Sequence, residues 1–176
     1  MTYQPRRILI TGCSAAGKST LLVEVARRGW VTVPEPGRRV IAAERAAGGD
    51  GLPWVDLERF ARLCLEMAIA DWEAAGPGIT LFDRGIFDAA INLRHMGQDI
   101  GDALTRYRYD PLVLLAEPWP ELFAADADRK HGMDAALAEF ELLRAGLDEF
   151  GYRAEPLPKV SVTDRADWLE SRLASG

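Results

Sequence analysis

One octapeptide narrows the possible folds more than any other part of this chain. Gly12-Cys13-Ser14-Ala15-Ala16-Gly17-Lys18-Ser19 satisfies G-x-x-x-x-G-K-[ST], directly after an apolar run (RILIT, 7–11) and directly before a helical pattern. With 16 Gly in 176 residues, three Lys and a dozen Ser or Thr, chance would produce it in roughly one such chain in 600. The glycines let the main chain wrap tightly, so that the amides of Ser14, Ala15, Ala16, Gly17, Lys18, Ser19 and Thr20 converge on one anion. The dipole of the following helix adds favourable potential at the same point. Gly12 to Thr20 is therefore expected to grip the phosphates of ATP, with Lys18 reaching the β- and γ-phosphates and the Ser19 hydroxyl ligating Mg²⁺.

The rest of the composition bounds the setting. A length of 176 residues fits one domain spanning 1–176. With 48% hydrophobic and 27% charged residues, disorder is excluded. No apolar run reaches the roughly 18 residues of a membrane span. A net charge of −6 disfavours general nucleic-acid binding, which rests on a basic surface. The N-terminus lacks the apolar core of a secretory signal. Cys13 and Cys64 form neither a framework nor a C-x-x-C pair, so they read as free thiols in a reducing cytoplasm.

Apolar runs alternate with helical patterns, which predicts an α/β fold: three layers around a five-stranded, mostly parallel sheet. The expected strands are 7–11, 30–34, 79–83, 111–116 and 152–158. Between them the pattern predicts helices near 18–28, 38–47, 86–96, 101–107 and 133–150. Asp56 is the expected N-cap of a further helix to about Ala74, with Leu57, Phe60, Ala61, Cys64, Met67, Ala68 and Trp72 on its apolar face. Residues 117–132 have poor periodicity and read as a loop. A last helix should start at the capping box Ser161-Val162-Thr163-Asp164.

Ligands gather at the C-terminal edge of a doubly wound sheet. The third strand ends there in Asp83-Arg84. Asp83 could hold Mg²⁺ through water or polarise an acceptor hydroxyl, and Arg84 could bridge acceptor and phosphoryl group; the alternative is a helix cap and a local ion pair. The second strand ends in Glu35, held between prolines and followed by Arg38 and Arg39. Glu35 could accept a hydroxyl proton while Arg38 and Arg39 bind an acidic part of an acceptor, or all three could be solvated. Arg129, before the helix at 133, is either a lid arginine or part of a solvated helix start. A guanine-reading Asn-Lys-x-Asp motif is excluded, because Asn92 is the only asparagine.

Together ILITGCSAAGKSTLL, VTVPEPGRRVI, LFDRGIFDAA, EPWPELFAADADRKHGMDAA and GYRAEPLPKVSVTDR resemble the small bacterial AAA-type predicted ATPases that group with nucleoside- and nucleotide-kinase-like phosphate-loop proteins. The resemblance implies a nucleoside-monophosphate-kinase style of sheet, ATP with Mg²⁺, and a lid over roughly 117–135 carrying Arg129. More loosely, Glu35-Pro36 resembles the general-base region of deoxynucleoside kinases, and Arg84 after Asp83 their Glu-Arg pair. The expected activity is phosphoryl transfer from ATP to a small-molecule acceptor; the rivals are a partner-coupled NTP hydrolase and a nucleotide sensor.

Overall fold

The computed structural model describes residues 5–123 and 130–174. Among them, the strands β1 (Arg6–Gly12), β2 (Val31–Val33), β3 (Ile79–Asp83), β4 (Leu112–Ala116) and β5 (Arg153–Pro156) form one sheet in the order β2-β3-β1-β4-β5. Every neighbouring pair is parallel. Strands buried on both faces read as unbroken apolar runs. That is the state of Ile8, Leu9 and Ile10 in β1 and of Val113 and Leu114 in β4, all fully buried. β2 and β5 lie at the edges and are only partly buried.

Helices cover the sheet as two outer layers, giving the expected three-layer α/β/α architecture. They are α1 (Lys18–Arg27), α2 (Pro36–Ala47), α3 (Leu57–Ala74), α4 (Ile86–His95), α5 (Ala103–Arg106), α6 (Pro120–Phe123), α7 (Lys130–Glu149) and α8 (Val162–Ala174). α1 packs with α8, while α4 packs with both α3 and α7, and α2 with α3. No helix among the described residues is long and apolar enough to cross a membrane.

Local chemistry sets most boundaries. The Asp56 carboxylate accepts from the Arg59 amide and caps α3 as expected. At α8 the Ser161 hydroxyl accepts from the Asp164 amide at 3.2 Å. Four details differ from expectation. α2 begins at Pro36 rather than Arg38, because proline is preorganised for the first helical position. The stretch expected to be loop contains the helical turn α6, and α7 starts at Lys130 rather than Met133. Leu57 is 54% exposed instead of lying in the buried stripe, since at the first position of α3 it faces an open cavity.

One glycine fixes how the site meets the sheet. β1 and β4 approach so closely at Gly12–Ala116 that a Cβ on Gly12 would run into the Ala116 carbonyl. Only glycine also tolerates its φ of +114°.

Candidate active site

The turn from β1 into α1 folds back on itself through left-handed residues, Ala15 (φ 57°) and Gly17 (φ 76°). No side chain caps the start of α1, so the first amides of the helix are left for another acceptor. A hollow of about 350 Å³ lies there, lined by Ser14, Ala15, Gly17, Lys18, Ser19 and Thr20 from the loop and by Glu35, Arg38, Arg84 and Leu122 from outside it. Gly12 and Ala16 are not in its lining. Gly12 serves the β1–β4 approach, and Ala16 is buried, its carbonyl accepting from Arg165. Lys18 folds over the loop, with Nζ donating to the Cys13 carbonyl at 2.6 Å. Burial, helped by the nearby Arg84 charge, lowers its pKa to about 8.

The Ser19 hydroxyl donates to Asp83 Oδ2 at 2.8 Å, so the two residues expected to share a metal do meet. Asp83 is 3% exposed, and its Oδ1 is buried with no hydrogen-bond partner. An orphaned buried carboxylate oxygen beside a hydroxyl is a donor set that fits a hard divalent cation. Magnesium keeps several waters and phosphate oxygens in its shell, so two protein oxygens suffice. Asp83 does not cap the next helix. Asp88 does, its Oδ2 accepting from the Gly85 amide at 3.1 Å.

Arg84 ties four elements together. It sits in the left-handed region (φ 57°), a conformation costing on the order of 1–3 kcal/mol in a non-glycine residue and kept only where the surroundings enforce it. Its fork donates to both oxygens of Glu139, at 2.7 and 3.1 Å. Nη2 also reaches the Gly12 carbonyl and the Ser14 hydroxyl, both at 3.2 Å. Asp88 Oδ1 lies 3.7 Å from Nη1, and Glu35 Oε1 3.8 Å from Nε. Asp88 itself is 4% exposed, and its Oδ1 accepts a hydrogen bond from the Thr11 hydroxyl. Burial raises its pKa to about 6 against the opposing pull of Arg84. For Glu139 the balance is reversed: burial pushes up, but Arg84 holds it below the usual carboxylate range.

Beside the phosphate hollow lies a second cavity of about 340 Å³ between α2, α3, α4 and α7. Leu57, Phe60, Ala61, Cys64 and Met96 give it an apolar wall, and Glu35, Asp88, Asn92, His95, Glu139 and Arg84 a polar one. Ser14, Glu35 and Arg84 line both spaces. Of the two arginines after Glu35, Arg38 borders the phosphate hollow and pairs with Glu35 at 3.4 Å. Arg39 turns to α3 and makes a forked pair with Asp71 at 2.6 and 3.2 Å. Neither lines the second cavity. Arg129 lies outside the described residues.

Sequence reasoning missed Asp88, Glu139 and Arg165. Arg165 is 4% exposed, and its Nη1 donates to the carbonyls of Ala16 and Gly17 at 3.1 and 3.4 Å from behind the phosphate loop. The signal was a charge inside an apolar stripe. Arg165 shares the buried face of α8 with Leu169 and Leu173 at i+4 and i+8, and Glu139 sits between Ala136 and Leu143 at helical spacing.

A parallel sheet of this order, with a glycine-rich loop between its central strand and first helix, defines a phosphate-loop NTPase of kinase-like fold. Within that class, residues 7–165 match the model of a family described as an AAA domain, and the chain belongs to that family. A curated relative, tRNA wybutosine-synthesizing protein 4 of Gibberella zeae, is 29% identical over 128 residues. Those residues are 73% of this chain but 11% of that relative's length. Solved structures share the fold at low identity. The NadR protein in complex with NR has a TM-score of 0.69 at 18% identity, covering 98% of this chain and 51% of that one. Shikimate kinase from Acinetobacter baumannii in complex with shikimate gives 0.64 at 14% identity, covering 98% and 95%. Deoxyadenosine kinase from M. mycoides with products dCMP and dCDP gives 0.57 at 16%, covering 96% and 98%.

Proposed function

We propose that this chain is an ATP- and magnesium-dependent phosphotransferase acting on a hydroxyl of a small molecule, working in the cytoplasm as one domain with its lid over roughly 117–135. The observation that carries this reading is the shared wall: Ser14, Glu35 and Arg84 border both the phosphate hollow and the adjoining cavity. A phosphate tail in the first space and an alcohol in the second would meet at those three side chains. Hydrolysis alone has no need of the second space.

The acceptor oxygen attacks the γ-phosphorus of ATP. Its O–P bond forms as the bond to the β–γ bridging oxygen breaks; ADP leaves, and the hydroxyl proton passes to a Glu35 carboxylate oxygen. Ser19 and Asp83 are the residues that would hold magnesium, whose charge offsets that of the β- and γ-phosphates. Lys18 and the loop amides neutralise the phosphate oxygens and orient the tail, which is most of what phosphoryl transfer asks of a protein. Arg38, which borders the hollow, would take the phosphate side. Arg39 is assigned to holding α2 on α3 through Asp71. Arg129 keeps the lid role implied by resemblance, closing on the transferring phosphoryl group.

An ATP-consumption assay with product analysis over nucleosides, sugars and amino alcohols tests this. A phosphorylated alcohol formed one-for-one with ADP is the expected result. ADP and inorganic phosphate alone, whatever alcohol is present, would overturn it.

A further inference from the structure

The charge lining the second cavity selects among acceptors, an inference that rests on the phosphotransferase reading above. Three carboxylates border the space, Glu35, Asp88 and Glu139, and Arg84 is the single Arg or Lys among its described lining residues. That guanidinium is already spent. Its fork is committed to Glu139 at 2.7 and 3.1 Å, and Nη2 is shared with the Gly12 carbonyl and the Ser14 hydroxyl. A carboxylate or phosphate on an acceptor would find no free forked donor among the described lining residues, and forked donation is how arginine captures such groups. Of the two arginines that follow Glu35, Arg39 is held outside by Asp71, and Arg38, which pairs with Glu35 at 3.4 Å, lines the phosphate hollow and not this cavity. The other basic lining side chain, His95, is exposed.

We propose that this cavity takes an uncharged or cationic alcohol with one apolar face, and rejects acceptors that already carry a phosphate or carboxylate. Glu35 and Glu139 accept hydrogen bonds from hydroxyl or ammonium groups, while Phe60, Leu57 and Met96 cover a ring or alkyl face. The selectivity is built by repulsion as much as by attraction: an anion there faces three carboxylates that share one lining guanidinium, in a half-enclosed space. Discrimination on the order of 100-fold between otherwise matched acceptors is the expected consequence of that excess of like charge.

The test uses pairs sharing a skeleton and differing in charge: a hexose and its uronic acid, an amino alcohol and the matching hydroxy acid, a nucleoside and its 3′-monophosphate. Two readouts run on the full chain, phosphorylated product with MgATP and thermal shift with MgADP. Product confined to the non-anionic members, with kcat/KM higher by roughly 100-fold, is expected. Comparable kcat/KM for an anionic member overturns the charge inference and leaves phosphoryl transfer standing. ATP hydrolysis without product from any member sinks the transfer reading instead, and the thermal shift then decides the cavity: stabilisation by non-anionic members alone supports the inference, and stabilisation by anions, or by none, overturns it. Glu139→Gln supplies a second arm. It frees part of the Arg84 fork, so the ratio between matched acceptors should narrow about tenfold; an unchanged ratio overturns the role given to that ion pair.

Discussion

Lys18 and Arg165 illustrate how single residues set the properties of the phosphate loop. Lys18 pairs with main-chain carbonyls and sits near Arg84, so burial brings its pKa to about 8. The cationic form is the one that attracts phosphate. As pH rises through 8 the empty site loses that charge, and MgATP affinity should fall by up to tenfold per pH unit above it. Calorimetric titration between pH 7 and 9.5 checks this, and a flat affinity would mean that Lys18 stays charged. Arg165 acts from the opposite side of the loop. Its guanidinium satisfies the Ala16 and Gly17 carbonyls, and Trp119 lies 5.3 Å away beneath it. Arg165→Met leaves both carbonyls without that donor, which should cost about 1–3 kcal/mol of stability. It should also weaken MgATP binding, while Arg165→Lys recovers part of both. Urea denaturation together with the same titration reads the two effects, and loss of stability with unchanged affinity would make Arg165 a packing residue alone.

At the scale of the element, the start of α2 decides what Glu35 can do. Pro36 and Pro34 fix the chain on either side, and Glu35 occupies the N-cap position with extended backbone and no capping hydrogen bond of its own. Its carboxylate is therefore left to the seam between the two spaces rather than used to close the helix. Glu35→Gln keeps the shape and removes the proton acceptor, so kcat should drop by roughly 10²–10³-fold with nearly normal ATP affinity. Steady-state kinetics beside a binding titration would separate the two. A kcat within a few-fold of wild type would take Glu35 out of proton transfer. Most element positions were legible beforehand, because caps, prolines and apolar periods are local. α3 is the clearest case, its Asp56 cap and its end at Ala74 both readable from the chain. Where local signals conflicted, boundaries moved. The charged residues before Met133 hid the early start of α7, and proline in 117–123 masked the turn that it begins.

Across the whole molecule, Arg84 joins β3, α4, α7 and the phosphate loop through one buried charge. Removing it leaves Glu35, Asp88 and Glu139 facing one another. Arg84→Met should cost about 3–5 kcal/mol near pH 8, as expected when one partner of a buried ion pair is deleted. The sign with pH follows from Asp88, whose folded pKa of about 6 lies above its ordinary value. Arg84 opposes that rise, so in its absence Asp88 holds a proton to still higher pH. The extra penalty in the variant is then full above the variant's own, higher Asp88 pKa, shrinks as pH falls from there toward about 6, and is gone below about pH 6, where both folded proteins hold the proton. Urea denaturation of both proteins at pH 5 and pH 8 measures the change; a difference independent of pH would mean that mutual repulsion of these acids contributes little.

The phosphate loop, the alternation of strand and helix, and the pairing of Ser19 with Asp83 at one sheet edge were all open to reading from the chain. Each depends on contiguous residues or on a rule of strand order. The partners of Arg84, the burial of Asp88, the bond from Arg165 to the back of the loop and the acidic lining of the second cavity were not. Glu139 lies 55 positions from Arg84, and Arg165 lies 149 from Ala16. Residues so far apart meet only after the sheet has closed and the helices have packed, and it is burial, absent from any linear pattern, that turns their charges into a site.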